Sequence, residues 1–60
     1  MDLKKFRLNN ALTQRELAHK MGTNRVTIIR WEKGKVTPRL KTMIQLAKLF
    51  NCTIDELINP

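Results

Sequence analysis

The sequence predicts an all-α domain, and three observations carry that prediction. Helix-forming residues dominate, no segment sustains the two-residue alternation of a half-buried strand, and apolar residues recur at three- and four-residue spacing behind helix-start signals. Sixty residues make one domain at most, here spanning 1–60. A chain of that length buries only about 60% of its unfolded surface, which leaves little room for an internal active site. Punctuation divides it into five short helices.

Asp2 is placed to cap the first helix, which runs to about Asn9 with Leu3, Phe6 and Arg7 on one side. Asn10 suits the left-handed residue that ends it. Thr13-Gln14-Arg15-Glu16 has the form of a capping box and opens a second helix, with Leu17, Ala18 and Met21 at core spacing and Gly22 as its stop. Asn24 is the expected cap of a third helix, over residues 25–33, ended by Gly34. A loop pinned by Pro38 leads to a fourth helix whose apolar stripe is Leu40, Met43, Ile44, Ala47 and Phe50, with Asn51 as a left-handed stop. Thr53-Ile54-Asp55-Glu56 is a second capping box, opening a last short helix with Leu57 and Ile58.

Twelve Lys and Arg against five Asp and Glu give a net charge of +7, which implies an anionic partner: nucleic acid first, an acidic membrane surface second. The capping boxes and the Gly and Pro stops oppose the membrane reading, where one continuous amphipathic helix is expected. One cysteine excludes an intramolecular disulfide, and Cys52 with His19 is too little for a zinc site. No apolar run is long enough for a signal peptide or a membrane span, so the expected location is the cytoplasm. Nothing combines a nucleophile with a base, clusters metal ligands or forms a phosphate-binding glycine loop. The expectation is therefore no enzyme and no cofactor.

The informative spacing is Gln14-x3-Ala18-x3-Gly22-x5-Ile28-x2-Trp31. Ala18 must be small if the third helix is to cross close to the second, and Gly22 takes positive φ without penalty at a sharp turn. Ile28 and Trp31 are expected to face back onto Leu17 and Ala18. Together these positions describe a helix-turn-helix. On a wheel of about 100° per residue with Ile28 at the origin, Val26, Arg30 and Lys33 fall on the far side and Ile29 on the flank. A solvated face does not normally carry Val and Ile together, whereas the major groove offers guanine O6 and N7 to arginine and thymine methyls to apolar groups.

LTQRELAHKMG, TIIRWEKGK and TPRLKTMIQLAKLFNCTIDEL, in that order, resemble the Cro/cI-type (Xre) helix-turn-helix family of phage and bacterial repressors, over about Leu3 to Ile58. The resemblance implies a compact five-helix, lambda-repressor-like domain with the helix-turn-helix at its second and third helices. It implies sequence-specific binding of double-stranded DNA by a transcriptional regulator, a repressor by preference, in the bacterial nucleoid or a phage-infected cell. Carried over by alignment, Arg25, Val26 and Arg30 read bases, with phosphate contact as the alternative for either arginine. Ile29 fits either a thymine methyl or the core rim. Gln14, Thr23, Asn24, Thr27, Lys33, Lys35, Arg39 and Lys41 fall to the DNA backbone, with a base edge as the alternative for Thr27. Lys35 and Lys41 equally fit plain solvation, and Arg39 equally fits a narrow minor groove. Arg7 and Glu32 match a structural salt bridge.

The sequence departs from the family pattern at four points. Ala11 stands where glycine is usual, Ile29 where a small polar residue is, Arg39 where a capping serine is, and Thr23 where an aliphatic is. The resemblance also implies two copies on an inverted-repeat operator. With the chain ending at Pro60, the expected association is a weak homodimer through Leu57, Ile58 and neighbours, completed on DNA. Two other readings remain open at this level. One is an antitoxin or controller protein acting with a second protein. The other is an interaction module without DNA binding, using a patch around Phe50, Ile54 and Ile58.

Overall fold

A computed structural model describes residues 1–58 and contains five helices: α1 Leu3–Asn9, α2 Gln14–Lys20, α3 Arg25–Glu32, α4 Leu40–Phe50 and α5 Ile54–Ile58. Every helix contributes to one core, made of Leu3, Leu17, Ala18, Ile28, Trp31, Leu46, Phe50 and Leu57. α3 packs on α2 and on α1, while α4 packs on α5. Phe6 closes the α1–α4 side by stacking on Phe50, ring centroids 5.9 Å apart. Pro38 is buried in the loop before α4. The described chain measures 24 × 23 × 18 Å, so little of it lies far from the surface.

Both capping boxes form. The Glu16 amide donates to Thr13 Oγ1 at 3.0 Å and the Thr13 amide to Glu16 Oε1 at 3.0 Å. Thr53 and Glu56 repeat the exchange at 3.1 and 3.2 Å. Asp2 does not behave as expected: its side chain makes no capping hydrogen bond, and its backbone lacks the extended conformation of Thr13 and Asn24. The Asp2 amide instead donates to the Leu57 carbonyl at 3.3 Å, tying the start of α1 to α5.

The first four helices all end in one way. A residue at positive φ donates three residues back, and its successor donates five back, closing two free carbonyls. The pairs are Ala11 and Leu12, Gly22 and Thr23, Gly34 and Lys35, and Asn51 and Cys52. The first of these corrects the expectation for Asn10, whose φ is −98°; Ala11 takes the left-handed conformation at φ 56°. Asn10 turns its amide back to the Phe6 carbonyl at 2.7 Å, satisfying a carbonyl rather than forming the turn. A β-carbon at such a φ costs about 1–2 kcal/mol, and this turn carries that cost.

Two apolar assignments also change. Leu40 is 64% exposed and Ile44 38%, whereas Leu46 is fully buried and Leu49 half-buried against the core. The buried residues of α4 are Leu46, Ala47 and Phe50, and Leu40, the first residue of the helix, lies well before them. Leu57 and Phe50 are core residues, which removes them from any docking surface; Ile58 remains exposed.

Candidate nucleic-acid interface

α3 is short and two-sided because its sequence separates two tasks. Asn24 Oδ1 accepts from both the amide and the hydroxyl of Thr27 at 3.0 Å, starting the helix. Ile28 and Trp31 bury against α2 and α1. On the opposite side Arg25 and Arg30 are exposed, and Val26 is 52% exposed. Ile29 is half-buried, between the two faces. The first turn of α3 contains no acid and begins with Arg25. A cation there opposes the helix dipole, so stability alone does not explain the choice.

At the root of this face lies the one ion pair among the described residues. Arg7 Nε donates to Glu32 Oε2 at 2.6 Å, with both side chains 7% exposed. The guanidinium is further held by Nη1 donating to the Leu12 carbonyl at 2.8 Å. Glu32 keeps its second oxygen for Gln14, whose Nε2 donates to Oε1 at 3.0 Å. Gln14 Oε1 in turn accepts from Arg25 Nε at 3.0 Å. The expected Arg7–Glu32 bridge is therefore present and continues outward through Gln14 to the first residue of α3. No buried polar side-chain atom among the described residues lacks a partner.

Gln14 and Arg25 border an open cleft of about 380 Å³, completed by Arg7, Thr13 and Arg15. Arg15 was given no role from the sequence. Its signal was a cation in the first turn of α2, a place where capping favours acids. Thr23 is half-buried and spends its amide on the Ala18 carbonyl at 2.9 Å. Lys33, Lys35, Arg39 and Lys41 are all exposed from the end of α3 to the start of α4. Arg39 occupies the position before α4 but makes no side-chain cap, so its guanidinium is not engaged in starting that helix.

Three of the five acidic groups are engaged within the fold. Glu16 and Glu56 are held in capping boxes and Glu32 in the ion pair. The Thr13 amide, and then the Thr13 hydroxyl, hold the Glu16 carboxyl below its usual range. Among the described residues Arg7 alone of the Lys and Arg side chains carries an ion pair, which leaves the other cations to an external anion. Cys52 is half-buried against the core, and burial, then Glu56, pushes its thiol up. No described helix is long and apolar enough to cross a membrane.

Two helices crossing at a glycine turn, the second bearing a cationic outer face, define a helix-turn-helix nucleic-acid-binding domain. The chain matches the family described as Helix-turn-helix over residues 3–57 and belongs to that family, in its Cro/cI (Xre) branch. It is 46% identical over 55 residues to an uncharacterised HTH-type transcriptional regulator of Methanocaldococcus jannaschii, covering 92% of this chain and 83% of that one. A regulator of the same description from Archaeoglobus fulgidus is 42% identical, with 92% and 79% covered. A cryptic-phage CTXphi transcriptional repressor, RstR, of Vibrio cholerae is 33% identical over 95% of this chain and 51% of its own length. An HTH-type transcriptional activator, BcrR, of Enterococcus faecalis is 37% identical over 95% of this chain but 28% of its own. No solved structure matches. The family and these relatives make DNA-binding transcriptional regulation the function of this domain.

Proposed function

We propose that this protein is a repressor in which α3 enters the major groove of double-stranded DNA and reads bases through Arg25, Val26 and Arg30. The observation that carries this reading is the division of α3: an apolar anchor buried on one side, and two arginines with an exposed valine on the other. Arginine forks onto guanine and valine meets thymine methyl, so both residue types suit groove edges. Ile29, half-buried, reaches a methyl only at the flank of the helix. Gln14, Thr23, Asn24, Thr27, Lys33, Lys35, Arg39 and Lys41 contact the backbone and set register without reading sequence. Gln14 does so through the amide proton that Glu32 leaves free.

Repression is supported by the relatives: of the two whose names state a direction, the repressor shares the larger part of its length. Two copies bind an inverted repeat with half-sites about one turn apart. Their association is weak and uses exposed apolar residues of α4 and α5, among them Leu40, Ile44 and Ile58. The protein acts in the cytoplasm, on the nucleoid, and its role ends with binding rather than catalysis.

Selection of bound sites from random DNA tests the groove assignment. Arg30→Ala should cost about 1–3 kcal/mol of affinity and relax preference at one position. A selected motif that survives Arg30→Ala unchanged removes Arg30 from the reading head.

A further inference from the structure

We propose that Glu32, besides pairing with Arg7, is a positioning residue for DNA recognition: acting through Gln14, it fixes the guanidinium of Arg25 before DNA arrives. The inference rests on the reading of Arg25 as a base contact and adds to it the device that aims the contact.

Gln14 can be seated in two orientations that differ by exchange of its oxygen and nitrogen. Glu32 Oε1, 3.0 Å away, belongs to a carboxylate that only accepts, so it requires the Nε2 side of Gln14. Arg25 Nε, also 3.0 Å away, only donates, so it requires the Oε1 side. Both neighbours select the same orientation, and neither tolerates the other. The carboxylate is itself immobilised, because its second oxygen takes Arg7 Nε while Arg7 is held to the Leu12 carbonyl. Arg25 is thus tied through Gln14 and Glu32 to a buried ion pair, although its own side chain is exposed.

This tether selects how Arg25 can bind. A guanidinium carries five N–H donors, and Nε is spent on Gln14. The side-on fork, which needs Nε with one terminal nitrogen, is therefore closed. The end-on fork through Nη1 and Nη2 stays free, and it matches the paired O6 and N7 acceptors of guanine. A long side chain already ordered loses less freedom on binding than a mobile one. Arg30, with no such tether among the described residues, offers the internal reference.

Two measurements test the proposal. In the free protein, nitrogen-15 relaxation should find the Arg25 Nε–H bond more ordered than that of Arg30, and Gln14→Ala should lower it to the Arg30 level. Glu32→Gln should do the same, since a glutamine there can hold Gln14 in the wrong orientation. Gln14→Ala carries the test should Glu32→Gln fail to fold. In site selection from random DNA, Gln14→Ala should relax preference at the very base position that Arg25→Ala relaxes, by roughly threefold to tenfold, the worth of one hydrogen bond. Equal mobility of the two arginines in the unsubstituted protein overturns the tether. A motif relaxed by Arg25→Ala but intact in Gln14→Ala overturns positioning while leaving Arg25 as a reader. A motif unmoved by Arg25→Ala overturns both.

Discussion

At each end of the polar chain from Arg7 to Arg25 an arginine Nε donates to a side-chain oxygen, but the acceptors and the surroundings differ. At the inner end, Arg7 and Glu32 are almost wholly buried; at the outer end, Arg25 donates to Gln14 in contact with water. The inner bond is a 2.6 Å contact to a carboxylate with little water to compete, the outer a 3.0 Å contact to a neutral amide for which water competes, so both charge and solvent make the inner one stronger. The inner end serves folding and the outer end can be spent on a ligand. A buried pair is costly to break because the surviving charge is stranded, whereas an exposed partner is simply rehydrated.

Glu32→Ala offers the sharpest contrast. It leaves Arg7 buried without its carboxylate and should cost about 3–5 kcal/mol in urea unfolding, most of what a domain this small possesses. A cost below about 1 kcal/mol would show that water reaches the inner end as freely as the outer. Thr13→Ala removes an exposed helix cap and should cost about 1 kcal/mol. It should also raise the Glu16 pKa part of the way toward its usual value, measured by NMR titration: the Thr13 amide, the larger cause of the depression, survives the substitution, and only the hydroxyl is lost. The sign follows: a depressed carboxylate stabilises the fold above its unfolded pKa and loses that contribution as pH falls through its folded value. In Thr13→Ala this acid-side loss should shrink.

Ala11→Gly alters neither end of the chain but relieves the turn whose Leu12 carbonyl receives Arg7. It should stabilise by about 0.5–1 kcal/mol, and Gly22→Ala should destabilise by a similar amount. No atom lies within 4 Å of a β-carbon built on Gly22, so backbone conformation alone is at stake there. Gln14→Ala should be the mildest for the fold, under about 0.5 kcal/mol, while weakening DNA binding. Thermal unfolding of all five variants in one buffer ranks them.

Much of this was legible in the sequence, for local reasons. Capping boxes, glycine stops and the Ile28–Trp31 pair are short-range signals, and each forms as read. The Arg7–Glu32 bridge, 25 residues apart, was legible only through the family resemblance. The misread parts were those decided by tertiary packing. Ala11 has no intrinsic preference for positive φ, and the turn imposes it because the two closing hydrogen bonds and the burial beyond it demand that geometry. Asn10 looked the better residue on propensity and was used otherwise. The α4 stripe was misjudged because Leu40 and Leu46 have equal hydropathy, and only the packing of α4 onto the shared core decides which is covered. Gln14 was identified as a DNA-facing residue, but its bonds to Glu32 and Arg25 join three separate stretches that no spacing rule links.

The excess of Lys and Arg over Asp and Glu also makes the free domain a polycation that repels itself. With seven more cations than acids, folding concentrates like charges within a body 24 Å across. Added salt screens that repulsion over a Debye length of about 10 Å at 0.1 M, comparable to the domain's own radius. Ionic strength therefore acts on this protein in two opposed directions: it raises the melting temperature of the free domain and weakens its grip on DNA.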